Sequence, residues 1–232
     1  MGLKLPPTVE PAPDNAGEGS EIDVLPRFHL VTDFPSLDEA ALACVLAVLA
    51  GGRSGTDAVD AVQVRAKQAS DREVVAWTRE LVVLVRPMGT RVIVNDRLDL
   101  ALAAGADGVH LGRDDLSVAD ARALVPTSFL IGATCRSPVH AARARLDGAD
   151  YAGVGPVHAT TTKRGLPNPL GLDVLAATAR EIPAIAIGGI TADRVRDVMA
   201  AGAHGVAVVS AVWENPDPPR AAREIAELVH AQ

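Results

Sequence analysis

The side chains in this chain best suited to chemistry are charged and hydroxylated groups placed directly after short apolar runs. The fullest cluster is Gly155–Gly165, GPVHATTTKRG, which follows the apolar run DYAGV (Asp150–Val154). Thr160, Thr161 and Thr162 stand beside Lys163 and Arg164, so three hydroxyls, free backbone N–H groups and two fixed cations fall within five residues. Such a set can surround a phosphate. An ordinary polar loop after a strand has the same composition, so this stretch does not decide the matter by itself.

Other runs end in the same way. Gln63, Arg65 and Lys67 occupy every second position, the period that puts side chains on one face of a strand. Asn95, Asp96 and Arg97 follow TRVIV, and His110, Gly112, Arg113, Asp114 and Asp115 lie in or after DGVHL. Thr134 ends SFLIGAT, Gly188–Gly189 ends PAIAIGG, and Val209–Ser210 ends HGVAVVS. Arg65, Lys67 and Lys163 are candidate cations, with Arg113 or Arg164 as further ones. Asp96 and Asp115 (or Asp114) are candidate metal carboxylates, and oxygen ligands without cysteine suit Mg²⁺, which takes one or two carboxylates plus substrate phosphates. The alternative is solvated pairing of Asp96 with Arg97 and of Asp115 with Arg113; charge gathered at one rim favours the metal. Gly188–Gly189 and Val209–Ser210 are candidates for a phosphate held by backbone N–H groups.

These residues need a scaffold that gathers strand ends, and the sequence supplies one. Strand and helix signals alternate through eight units: strands over 28–33, 60–67, 90–96, 107–111, 128–134, 150–154, 183–189 and 204–210, each followed by a helix. Ser36 is read as the cap of the first helix, Ser70 with Glu73 as a capping box, and Thr191 as the cap of the seventh helix. Eight such units predict an α/β fold of the (β/α)8 TIM-barrel class, whose active sites lie at the C-terminal strand ends. The rival is a doubly wound open sheet, which more often has five or six strands. AAGADGVHL (Ala103–Leu111), LDGADYAGV (Leu146–Val154) and AAGAHGVAV (Ala200–Val208) repeat one phrase of helix end, turn glycine and strand. Residues 1–25, rich in Pro, Gly and acidic side chains, read as a flexible leader, and 26–232 as one catalytic domain.

Composition removes whole classes. A net charge of −7 with no basic patch argues against nucleic acid. No apolar run reaches the ~20 residues of a membrane span. The two cysteines, Cys44 and Cys135, form no ligand or disulfide spacing, which points to a reducing cytoplasm. With only 3% aromatics the core must be aliphatic. Cys44 reads as core, Cys135 as inert, Trp77 as shell packing on a helix, and His110 as a hydrogen-bonded structural group in an apolar strand rather than a base. No feature specifies an oligomeric state.

Five segments in register, VQVRAK, VNDRLDLALAAGADGVHLGRDDL, GADYAGVGPVHATTTK, AIAIGGI and GVAVVSAV, resemble the thiamine phosphate synthase family over about Phe28 to Val229. The resemblance implies a Mg²⁺-dependent transferase. Such an enzyme joins 4-amino-2-methyl-5-hydroxymethylpyrimidine diphosphate to a thiazole phosphate, or its carboxylated form, through a pyrimidine carbocation and releases pyrophosphate. It further implies that Gln63, Val64, Arg65, Ala66, Lys67, Asn95, Thr134 and Lys163 hold the pyrimidine diphosphate, with Arg65, Lys67 and Lys163 catalytic. Asp96 and Asp115 would ligate Mg²⁺, and Thr160, Thr161, Thr162, Gly189, Val209 and Ser210 would hold the thiazole phosphate.

Four positions depart from the family pattern: His29 for an aromatic, Arg113 for glutamine, Thr134 for serine and Arg136 for histidine. A related branch, the thiazole tautomerases, uses a histidine in the strand-five loop. Arg136 cannot serve as a base at neutral pH, which leaves His158 as the residue that would support that alternative. A catalytically silent phosphate-binding barrel is the other alternative.

Overall fold

The computed structural model describes residues 25–34, 36–52, 58–160, 162 and 168–231. Eight parallel strands close into a barrel in chain order: β1 (Phe28–Val31), β2 (Ala61–Val64), β3 (Arg91–Asn95), β4 (Gly108–Leu111), β5 (Leu130–Cys135), β6 (Tyr151–Val154), β7 (Ala184–Ile187) and β8 (Gly205–Val208). β8 pairs back onto β1, with Phe28 opposite Val206. The expected TIM barrel is therefore the fold. Between successive strands run α1 (Glu39–Gly51), α2 (Asp71–Val85), α3 (Leu98–Ala104), α4 (Val118–Leu124), α5 (Pro138–Leu146), α6 (Gly171–Ala179) and α7 (Ala192–Ala200). After β8 comes the short α8 (Ser210–Trp213), then α9 (Pro218–His230), which closes the outer ring against α1 and α7.

Strand alternation divides the core in two. Leu30, Val62, Val92, Val109 and Ile131 point outward and join the helix faces in one aliphatic cluster. Val31, Ala61, Ile93, Tyr151, Ile185 and Ala207 point inward and fill the barrel. This is the arrangement expected of parallel strands buried on both sides.

The repeated phrase has a structural purpose at its aspartate. Asp107, before β4, accepts the Val92 N–H of β3 at 2.7 Å, and Asp150, before β6, accepts the Ile131 N–H of β5 at 2.7 Å. Asp60, before β2, does the same for Phe28 of β1 at 2.8 Å. Each carboxylate satisfies a strand-end donor that the ladder leaves over. Before β8 the phrase carries His204 instead, whose carbonyl accepts from Arg27 at 3.0 Å and whose Nε2 donates to the Leu25 carbonyl at 3.0 Å. Apart from Leu25, the leader expected over 1–25 lies outside the described residues.

The capping box at Ser70 and Glu73 forms as expected. Three other readings are corrected. The cap of α1 is Asp38, whose Oδ1 accepts the Ala41 N–H at 2.9 Å, while Ser36 donates to the other Asp38 oxygen at 2.7 Å. Thr191 holds the N-cap position of α7, but its side chain bonds no helix N–H. Cys44 is exposed rather than core: α1 is apolar on nearly every face, so its sequence does not mark the buried stripe, which is Ala41, Leu42, Val45, Val48 and Leu49. Trp77 is buried as expected and donates its indole N–H to the Asp38 carbonyl at 3.3 Å.

Candidate active site

A cavity of about 520 Å³ opens at the C-terminal ends of the strands, a size suited to small ligands. Gln63, Arg65 and Lys67 all reach it, although β2 ends at Val64, short of the expected Lys67. The Gln63 amide donates to Asn95 Oδ1 at 3.0 Å. The Arg65 guanidinium pairs with Asp33, and its backbone N–H donates to Thr32 Oγ1 at 3.0 Å, so two residues after β1 fix its direction. The Val64 and Ala66 side chains belong to the outer core, which leaves them only backbone groups for a ligand.

Asp96 and Asp115 come together at this rim. Asp96 has φ +67°, the one positive-φ non-glycine among the described residues, a conformation that turns its carboxylate away from the course of the strand. Asp115 accepts the Gly112 N–H at 2.6 Å. The two carboxylates flank Gly112: a Cβ there would lie 2.8 Å from Asp115 Oδ2 and 3.8 Å from Asp96 Oδ1. Burial first, then the Asp115 charge, holds the Asp96 carboxyl above its ordinary range, and Lys67 and Arg65 pull it partly back. Two hard oxygen donors repelling each other beside a cationic wall are a donor set that a divalent ion would relieve, and Mg²⁺ fits it. Among the described residues no cluster of three or more His, Cys, Asp or Glu side chains that could hold a metal forms.

The competing salt bridges do not form at these aspartates. Arg97 pairs with Asp71 at 2.9 Å and Asp99 at 2.6 Å, away from Asp96. Arg113 meets Asp114 at 3.4 Å, with both side chains more than four-fifths exposed; Asp114 lines the outer cavity, whereas Asp115 does not line it but lies next to Asp96.

Across the cavity, Thr160, Thr162 and Ser210 are linked by their hydroxyls: Thr160 donates to Thr162 at 3.3 Å and Thr162 to Ser210 at 3.2 Å. Gly188 and Gly189, at φ +93° and +64°, and Val209 line the same side. Thr161, Lys163 and Arg164 lie outside the described residues. Arg136 ties the two ends of this loop, donating to the Gly155 carbonyl at 2.7 Å and the Asn168 carbonyl at 3.1 Å. His158 does not reach the cavity; it packs behind Gly189, and burial, then the Arg194 charge, pushes its imidazole below the ordinary value.

The cavity floor is made by His29, Tyr151 and His110. His29 is 1% exposed, donates to the Pro26 carbonyl at 3.1 Å, and is pushed down to about 4 by burial. His110 is hydrogen-bonded as expected, to Tyr151 and Thr134, and burial pushes it down to about 4. Cys135 is buried behind its strand, its thiol raised to about 11, in keeping with an inert role.

Sequence reasoning missed Asp33, Arg136 as a loop tie, and Tyr151. For Tyr151 a signal exists: it is the single tyrosine, two residues from Gly153, so both share the inward face of β6. For the other two no local pattern marks the partner.

Comparison with known proteins identifies a family. Residues 28–212 match the family model described as thiamine monophosphate synthase. The thiamine-phosphate synthase of Salinispora arenicola (strain CNS-205) is 45% identical over 209 residues, covering 88% of this chain and 98% of that protein. The thiamine-phosphate synthase of Chloroflexus aurantiacus is 45% identical over 206 residues, covering 88% and 92%. The solved thiamine phosphate pyrophosphorylase from Pyrococcus furiosus superposes with a TM-score of 0.76 at 33% identity, covering 88% of this chain and 96% of that one. With the family model spanning most of the barrel and relatives this similar along nearly their whole length, the chain belongs to the thiamine monophosphate synthase family.

Proposed function

We propose that this chain condenses the hydroxymethylpyrimidine diphosphate with a thiazole phosphate to give thiamine phosphate and pyrophosphate, as a transferase of its family. The observation that carries the reading is Asp96 lining one cavity with Lys67 and Arg65, with the Asp115 carboxylate close behind it. Breaking the carbon–oxygen bond leaves a pyrimidinylmethyl cation and a diphosphate that gains negative charge. Arg65 and Lys67, with Lys163 from the threonine loop, stabilise that growing charge more than the bound substrate, which lowers the barrier. Asp96 and Asp115 would hold Mg²⁺, which supplies further neutralisation of the departing diphosphate.

Gln63 and Asn95, bonded to each other, present amide groups to the pyrimidine. Thr160, Thr162, Ser210 and the Gly188–Gly189 turn face the thiazole phosphate, and Thr161 belongs to the same loop. Holding the thiazole nitrogen beside the cation makes its attack effectively unimolecular, with no side-chain nucleophile. An exposed free thiol at Cys44 suits a reducing cytoplasm. Against the tautomerase reading, Arg136 occupies the strand-five loop and His158 stays out of the cavity; His140, in the first turn of α5, does line it and is the histidine that reading would need.

The test is direct. Purified protein with both substrates and Mg²⁺ should yield thiamine phosphate and pyrophosphate in equal amounts, and omission of either substrate or of Mg²⁺ should stop it. Proton exchange on the thiazole phosphate without condensation would overturn the reading.

A further inference from the structure

Beneath the cavity, three side chains form a hydrogen-bonded chain through the barrel interior. The Tyr151 phenol oxygen lies 3.2 Å from His110 Nδ1, and His110 Nε2 lies 3.1 Å from Thr134 Oγ1. The backbone is shaped around it. A Cβ at position 132 would lie 2.1 Å from Tyr151 Cζ and 2.6 Å from His110 Nδ1, and one at position 153 would lie 2.5 Å from His110 Cε1. Only glycine admits both rings there.

We propose that Tyr151 and His110 are positioning residues which keep the His110 proton on Nε2 and so present Thr134 to the substrate as a hydrogen-bond donor. The proposal rests on the reading of the site given above, in which Thr134 faces the pyrimidine diphosphate.

Hydrogen-bond satisfaction selects the tautomer. A neutral imidazole donates from one nitrogen and accepts at the other. If Nδ1 carried the proton, it would donate to the Tyr151 oxygen, and the phenol hydrogen would need another acceptor. Tyr151 is 1% exposed, and among the described residues its oxygen has no second hydrogen-bond partner. A buried donor would then be stranded, which is the costly outcome. If instead Tyr151 donates to Nδ1, every buried group is satisfied. His110 Nε2–H then donates to Thr134 Oγ1, and the Thr134 hydroxyl hydrogen is left facing the open cavity, where Thr134 is exposed. A donor there meets an anionic diphosphate favourably, whereas the other tautomer would turn the hydroxyl hydrogen back toward His110.

Two measurements test this on the intact protein. Long-range ¹⁵N–¹H spectra of the histidine rings, with His110 assigned through His110→Gln, should show the Nε2–H tautomer in the parent and a mixture of tautomers in Tyr151→Phe. A parent in the Nδ1–H form overturns the proposal. In the condensation assay, Tyr151→Phe should lower kcat about three- to tenfold, the size of one net hydrogen bond, with KM within about twofold. The loss should recur in a Thr134→Ser background and vanish in Thr134→Val. An equal loss in Thr134→Val would mean that Tyr151 acts by packing alone and would overturn the proposal. Should the parent make no thiamine phosphate, the functional reading falls, and the His110 tautomer still decides the relay.

Discussion

Replacing His29 by glutamine should remove part of the barrel's sensitivity to acid. His29 is 1% exposed, and burial pushes its imidazole from 6.5 in the unfolded chain to about 4 in the folded one. The folded pKa is the lower, so the unfolded state binds the proton more tightly and stability rises with pH. The stability is complete above the unfolded value and is lost as pH falls from about 6.5 toward about 4. At about pH 5 the unfolded imidazole is almost fully protonated and the folded one barely, so the loss through this residue is about 2 kcal/mol. For a chain of this size that is about 4–8 °C in Tm. Glutamine can keep the donor to the Pro26 carbonyl without the titration. Thermal unfolding of parent and His29→Gln at about pH 7.5 and about pH 5 isolates the effect, because groups shifted the other way, such as His230 raised by its hydrogen bond to Asp60, are common to both. The parent should lose about 4–8 °C more than the variant over that interval. Equal losses would refute the reasoning. His110 contributes in the same direction but less, because its ring is partly open to the cavity.

Other expectations follow from the same geometry. Asp96→Asn tolerates the positive φ and removes the repulsion with Asp115, so Tm without Mg²⁺ should rise while turnover falls by about 10²–10³, checked by calorimetry and product assay. Arg136→Ala releases both ends of the threonine loop and should raise KM for the thiazole phosphate more than for the pyrimidine diphosphate, read from steady-state kinetics. Asp150→Ala leaves the Ile131 N–H without its acceptor and takes the carboxylate from Arg122, which keeps its bonds to the Gly148, Pro126 and Phe129 carbonyls, and should cost about 1–3 kcal/mol in urea unfolding.

The barrel was legible because each strand is a short apolar run and a helical run separates it from the next. The repeated phrase was visible too, but the use of its aspartate was not, since Asp107 and Asp150 act on a strand that precedes them. Alternation placed Gln63, Arg65 and Lys67 toward the cavity, although the strand itself stops at Val64. It could not choose between Asp114 and Asp115, which differ by one position in a turn, nor show that Arg97 turns to Asp71 and Asp99. Cys44 was misplaced because a helix of alanine, leucine and valine offers no polar face to read.

The measurement that bears most directly on the account is a crystal structure with Mg²⁺, pyrophosphate and thiamine phosphate. The account predicts one Mg²⁺ ligated by Asp96 and Asp115 and by a diphosphate oxygen, with Arg65 and Lys67 on the same diphosphate. A metal bound away from both carboxylates, or a diphosphate out of reach of both cations, would contradict it.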